Sequence, residues 1–114
     1  TYLDWTLSAS RGKVRGGQES FLASFSIRGA KVALAAPGVG VVSTIFSSRW
    51  GVMSGTSMAT PIATGVLARR LAASPAVKDL PRGAARSAEI VKMALQAAED
   101  IHLPAGMQGK GLAR

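Results

Sequence analysis

Residues Gly55-Thr56-Ser57-Met58-Ala59-Thr60-Pro61 set a serine among small residues, directly before the longest apolar stretch of the chain, Met58 to Ala68. From Ser57 to about Ala73 the pattern is helical. Ala59, Ile62, Ala63, Val66, Leu67 and Leu71 form a broad apolar face, and Met58 and Ala68 carry apolarity around to other sides. The first turns are therefore expected to be almost completely buried. Such a helix can be stable only with packed neighbours on several sides. Pro61 falls near the first turn, where a missing N–H costs least. Gly65 costs about 1 kcal/mol against alanine in a helix interior, which predicts close packing against another element there. Arg69 and Arg70 mark where the helix emerges.

The serine at the head of this helix has chemical potential. A hydroxyl at neutral pH is a poor nucleophile; it needs a base for its proton and donors for the oxyanion that forms on an attacked carbonyl. Ser57 would attack. Its backbone N–H, at the helix N-terminus, would be one oxyanion donor, with the helix dipole favouring negative charge. Thr56 can add a hydroxyl donor or serve as an ordinary N-cap, and the sequence leaves both open. Gly55 gives room for a substrate and permits an unusual backbone angle.

Upstream, Tyr2 to Ala9 alternates loosely and reads as a strand, and Arg11 to Glu19, with Gly12, Gly16 and Gly17, reads as a loop. Val32 to Ala36 is short, apolar throughout and ended by Pro37-Gly38, the pattern of a strand buried on both faces. Val41–Ile45 and Trp50–Met53 read as a hairpin around Phe46 to Arg49 that delivers the chain to Ser54 and Gly55. Downstream, Ser74 to Arg86 is a basic loop punctuated by Pro75, Pro81 and Gly83. Ser87 is the expected N-cap of a second helix whose apolar face is Ile90, Val91, Ala94, Leu95 and Ala98.

These motifs resemble the subtilisin-like serine peptidases. That family carries its nucleophile in Gly-Thr-Ser-x-Ala-x-Pro, reproduced at Gly55–Pro61, and its five fixed letters would coincide by chance roughly once per million windows at average residue usage. Ala36-Pro37-Gly38 is a second, independent match. Ala23-Ser24-Phe25-Ser26, Ser43-Thr44, Trp50-Gly51 and the tail Gly109-Lys110-Gly111-Leu112 follow the family's order. The resemblance implies an α/β fold, here the C-terminal part of a subtilisin-like domain over residues 1–114. It would have a mainly parallel sheet, a β-hairpin before the nucleophile, and packing helices. It implies a serine endopeptidase acting on polypeptides through an acyl-enzyme on Ser57, a secreted or extracellular location, and calcium as a common family ion.

Several things that chemistry requires lie outside these residues. Family triads run Asp, His, Ser along the chain, yet no histidine precedes Ser57, and Asp4 is the only upstream aspartate. The chain also contains no asparagine, the side chain the family uses in its oxyanion hole. The expectation is therefore a C-terminal fragment, whose partner is the N-terminal part of the same catalytic domain. Without a histidine to take the serine proton, most of a triad's rate advantage disappears, so the chain alone is expected to be inactive. The alternative is a non-catalytic remnant that acts as a binding or structural unit. A complete α/β-hydrolase arrangement of Ser57, Asp79 or Asp100, and His102 would fit the order of residues. That fold needs more strands than the two helices and proline-rich loop between Ser57 and His102 supply.

Composition narrows the remaining classes. With 114 residues the chain is one domain at most, and with no cysteine it has no disulfide or thiolate metal site. One histidine and six scattered acids make no metal cluster. No apolar run reaches membrane-spanning length. The net charge of +8 points to an acidic partner or nucleic acid, or to a solvated surface whose acidic complement lies elsewhere. The positive charges form no single run, and only Trp5 and Trp50 offer large stacking platforms, which disfavours nucleic acid.

Overall fold

A computed structural model describes residues 6–13 and 19–114. Its elements in chain order are β1 (Thr6–Lys13), β2 (Glu19–Ala23), β3 (Val41–Ile45), β4 (Arg49–Met53), α1 (Thr56–Ala72), α2 (Pro75–Lys78), α3 (Ala84–Gln96) and α4 (Ala105–Gln108).

The strands make two separate antiparallel pairs, β1 with β2 and β3 with β4. Helices with small antiparallel sheets are compatible with an α/β domain; a mainly parallel sheet is not what the described residues form. Parallel pairing among them is confined to a bridge between Ala35 and Leu112. It is held by Ala35 N–H donating to Gly111 O at 2.9 Å and Ala113 N–H donating to Ala35 O at 2.8 Å. The segment around Val32–Ala36 is thus a single bridge beside the C-terminal tail, not a strand buried on both faces. Val32, Leu34 and Ala36 are only half-buried.

The N-terminal strand continues past Ala9, where the alternation suggests it ends, to Lys13. Arg11, Gly12 and Lys13 pair with Phe21, Ser20 and Glu19, after an irregularity in register between Thr6 and Arg11. Arg11 to Lys13 and Glu19, expected in one loop, are therefore strand residues. Tyr2, Asp4 and Trp5 lie outside the described residues.

The hairpin of β3 and β4 is in the expected place, with Ile45 opposite Arg49 and a three-residue connection, Phe46 to Ser48. Ser47 and Ser48 take positive φ, 58° and 53°. Gly51 faces Ile45 so closely that a Cβ would meet Ile45 Cγ2 at 2.8 Å, which accounts for glycine after Trp50. Arg49 stacks its guanidinium over the Phe46 ring at 4.9 Å.

The helices differ from expectation at their starts. Gly83, not Ser87, caps α3, and Ser87 lies inside the helix with its N–H donating to Gly83 O. Ala84 and Ala85, the strongest helix formers, extend the helix back to the glycine. The basic loop before it contains the short helix α2, with Pro75 as its first residue.

Leu22, Ile101 and Leu103 form the buried core, with Met107 and Leu112 packed against it. Gln108 of α4 organises the turn around this core. Its Oε1 accepts from Ile101 N–H at 2.9 Å, and its Nε2 donates to Leu103 O and to Asp100 Oδ1. Neither α4 nor this buried amide is legible in the tail sequence. By contrast α1 has no buried residue, and the space around Gly65 is open, with nothing within 4 Å of a Cβ placed there. The expected burial of α1 and the expected close approach at Gly65 are therefore absent among the described residues. The apolar side of α1 instead lines a cavity of about 630 Å³, together with Leu22, Val32, Leu34 and Leu112. The chain exposes 7844 Å², where a compact monomer of this mass exposes about 5,900 Å².

Candidate active site

The turn from β4 into α1 positions the three site residues read from the sequence. β4 ends at Met53, Ser54 bridges, Gly55 is the N-cap, and Thr56 and Ser57 are the first two helical residues. Gly55 lies at φ 158°, ψ 164°, a region occupied essentially by glycine alone. This geometry turns the chain sharply out of the strand and leaves Thr56 and Ser57 exposed at the helix head. The first N–H groups of any helix lack intrahelical acceptors. Met58 and Ala59 N–H both donate to Gly55 O, at 3.0 and 3.2 Å. Those of Thr56 and Ser57 have no partner among the described residues. The helix head thus presents two backbone donors beside the Ser57 side chain, with the positive end of the dipole behind them.

Thr56 is not the N-cap: that position belongs to Gly55, and no side chain caps the helix. Of the two roles open to Thr56 in the sequence, the capping one is removed by the geometry. Its carbonyl accepts the Thr60 hydroxyl at 2.9 Å, and the Thr60 carbonyl accepts the Thr64 hydroxyl at 3.0 Å.

The two strongest sequence matches meet in space. Gly55 N–H donates to Gly38 O at 2.7 Å, and Gly40 N–H donates to Ser54 Oγ at 2.9 Å. A Cβ on Gly38 would lie 2.9 Å from Gly55 O and 3.1 Å from Ala59 Cβ. The glycine that ends Ala36-Pro37-Gly38 is thus required by contact with the turn before the serine. Ser54 and Gly40 carried no sequence signal; their link depends on the hairpin register.

The other residues weighed for acid–base work stand apart from Ser57. Asp79 is exposed beside Lys78, with 3.9 Å between charges. His102 is exposed, at φ 62°, its N–H bonded to Asp100 Oδ1 at 2.8 Å and its Nδ1 3.9 Å from Asp100 Oδ2. Bonds from the Gln108 side-chain amide and then the His102 N–H hold the Asp100 carboxyl below the ordinary carboxylate range. Neither Asp100 nor His102 bonds to Ser57, so the α/β-hydrolase arrangement has no support in the fold. Among the described residues no group of three or more His, Cys, Asp or Glu side chains could hold a metal ion, and no helix is long and apolar enough to cross a membrane.

The model of the subtilase family, Peptidase_S8, matches residues 12–111. The chain belongs to the subtilase family. This subtilase is similar to a thermophilic serine proteinase of Bacillus sp. (strain AK1), 55% identical over 47 residues, which are 41% of this chain and 12% of that protein. It is also similar to the halolysin-like extracellular serine protease Nep of Natrialba magadii, 43% identical over 58 residues, 51% of this chain and 11% of that protein. A third relative is subtilisin-like protease 11 of Trichophyton verrucosum (strain HKI 0517), 44% identical over 72 residues, 63% of this chain and 17% of that protein. The subtilase segment thus spans less than a fifth of the length of each of these relatives.

Proposed function

We propose that this chain is the nucleophile-bearing part of a serine endopeptidase that hydrolyses peptide bonds through an acyl-enzyme on Ser57. The reading rests above all on Ser57 as the second residue of α1, exposed, beside backbone N–H groups that have no partner among the described residues. That placement suits both tasks of acyl transfer. The hydroxyl faces solvent, where a carbonyl carbon can approach. The N–H groups of the helix head and its dipole then meet the oxyanion as it forms. Gly55 keeps the turn tight and free of a side chain where a substrate passes. Thr56 is a second oxyanion donor through its hydroxyl.

The base and its orienting carboxylate come from sequence N-terminal to this chain, which together with residues 1–114 makes one catalytic domain with a mainly parallel sheet. By itself the chain has no significant peptidase activity, because no histidine precedes Ser57 in the sequence and none of the described residues is bonded to its hydroxyl as a base. The substrate is a polypeptide, and the family relationship favours a secreted protein. Calcium enters this reading through the family resemblance alone.

A fluorophosphonate probe applied to the full-length protein tests the reading. Covalent labelling of Ser57, lost in Ser57→Ala, is the expected result; a folded, inhibitor-free sample that does not label at Ser57 refutes it. The competing reading, a non-catalytic remnant, is favoured by the open face of α1, which leaves surface for binding. An upstream stop codon with no partner chain would select it, whereas an Asp motif, a His-Gly motif and an asparagine upstream would select the peptidase.

A further inference from the structure

The backbone ladder of the β3–β4 hairpin stops at Val41 and Met53, one residue short of the turn that presents Ser57. Beyond it two bonds continue the zipper by other means. Gly40, at φ 65°, turns its N–H to the Ser54 side chain at 2.9 Å, and Gly38 O receives the Gly55 N–H at 2.7 Å. Ser54 Oγ therefore takes the place of a backbone acceptor where the ladder has ended. It is half-buried, three residues before Ser57 and next to Gly55, whose positive φ only glycine adopts readily.

We propose that Ser54 is a positioning residue for the Ser57 nucleophile. Its hydroxyl locks the 38–40 turn to the 54–55 turn, and through Gly55 fixes the direction in which the head of α1 points. The proposal rests on the reading of Ser57 as nucleophile. The physical basis is leverage. Gly55 has the widest backbone freedom of any residue, so without fixed neighbours it is a hinge directly under the nucleophile. Bonds on both sides of it, at Ser54 and at its own N–H, remove that freedom before substrate arrives. Misplacement of a reacting group by about 1 Å can cost as much as 10²-fold in rate, so a small rotation here has a measurable effect.

The test uses the full-length protein and three variants, Ser54→Ala, Ser54→Thr and Ser57→Ala. The rate constant for fluorophosphonate labelling and the kcat and KM on a peptide substrate are measured per labelled site, so that loss of folded protein does not register as loss of rate. Ser54→Ala is expected to slow labelling and lower kcat about tenfold with KM changed less than about twofold. Ser54→Thr, which keeps the hydroxyl, is expected to restore most of the rate. Ser54→Ala labelling at the wild-type rate overturns the proposal, and so does an equal loss in Ser54→Thr. If wild type does not label, or Ser57→Ala still does, the nucleophile reading itself falls and the positioning role with it.

Discussion

Gly38 and Gly55, seventeen positions apart, are joined by a 2.7 Å hydrogen bond from the Gly55 N–H to the Gly38 carbonyl. Each is glycine for a separate reason. Gly55 holds a backbone conformation barred to other residues, and Gly38 lies against Gly55 O and Ala59 with no room for a Cβ.

Gly38→Ala forces a Cβ to within 2.9 Å of a backbone oxygen that cannot swing aside. The turn before Ser57 must shift. Stability is expected to fall by about 1–3 kcal/mol, and the labelling rate of Ser57 in the full-length protein should fall with it. Thermal melting and probe kinetics on the same preparation check both; an unchanged melting temperature would show that the contact is slack.

Gly55→Ala acts through backbone strain, with space for the methyl itself, since the nearest atom is Met58 Sδ at 3.6 Å. The expected cost is about 1–3 kcal/mol. Denaturant unfolding of the full-length protein measures it. A cost as large for Gly65→Ala, where the surroundings in this chain are open, would mean that the α1 side of the molecule is covered by sequence beyond these residues.

The isolated 114-residue chain is expected to be molten or prone to aggregate. Val42, Phe46, Trp50 and Val52 are each more than 60% exposed, and α1 buries none of its residues. Strong dye binding to apolar surface and a broad melt are the expected signs. A sharp cooperative transition of the monomer would contradict the prediction.

Gln108→Ala should be costly despite its distance in sequence from the site. It leaves Ile101 N–H and Leu103 O without their buried partner, and each such loss costs about 1–3 kcal/mol. A melting temperature within a degree of wild type in the full-length protein would show that water replaces the amide.

Asp100 gives the turn an acid sensitivity of definite sign. Its folded pKa is depressed, first by the Gln108 amide and then by the His102 N–H. Its contribution is therefore fully present above the unfolded value of about 3.9 and is lost as pH falls through the lower folded value. The Gln108 side-chain and His102 N–H resonances should shift with a midpoint below about 3.9. A midpoint at or above that value would rule out the hydrogen-bonded carboxylate.

The letters of Gly55–Pro61 and Ala36–Gly38 sufficed for the family, and the alternation around Phe46–Arg49 for the hairpin, because a tight turn and a helix head impose local residue types. The start of α1 followed within a residue for the same reason. What the sequence could not decide depends on who stands beside whom. Val32–Ala36 has the composition of a doubly buried strand, but its state depends on neighbours on both sides, and among the described residues it pairs with the C-terminal tail alone. The apolar circumference of α1 announced a need for partners without showing that the described residues leave the need unmet. Thr56 read equally as a cap or a donor, and only the fold gave the cap position to Gly55. Only the folded chain brought Gly38 and Gly40 against Ser54 and Gly55, because that contact arises from hairpin register, a non-local quantity that no single stretch encodes.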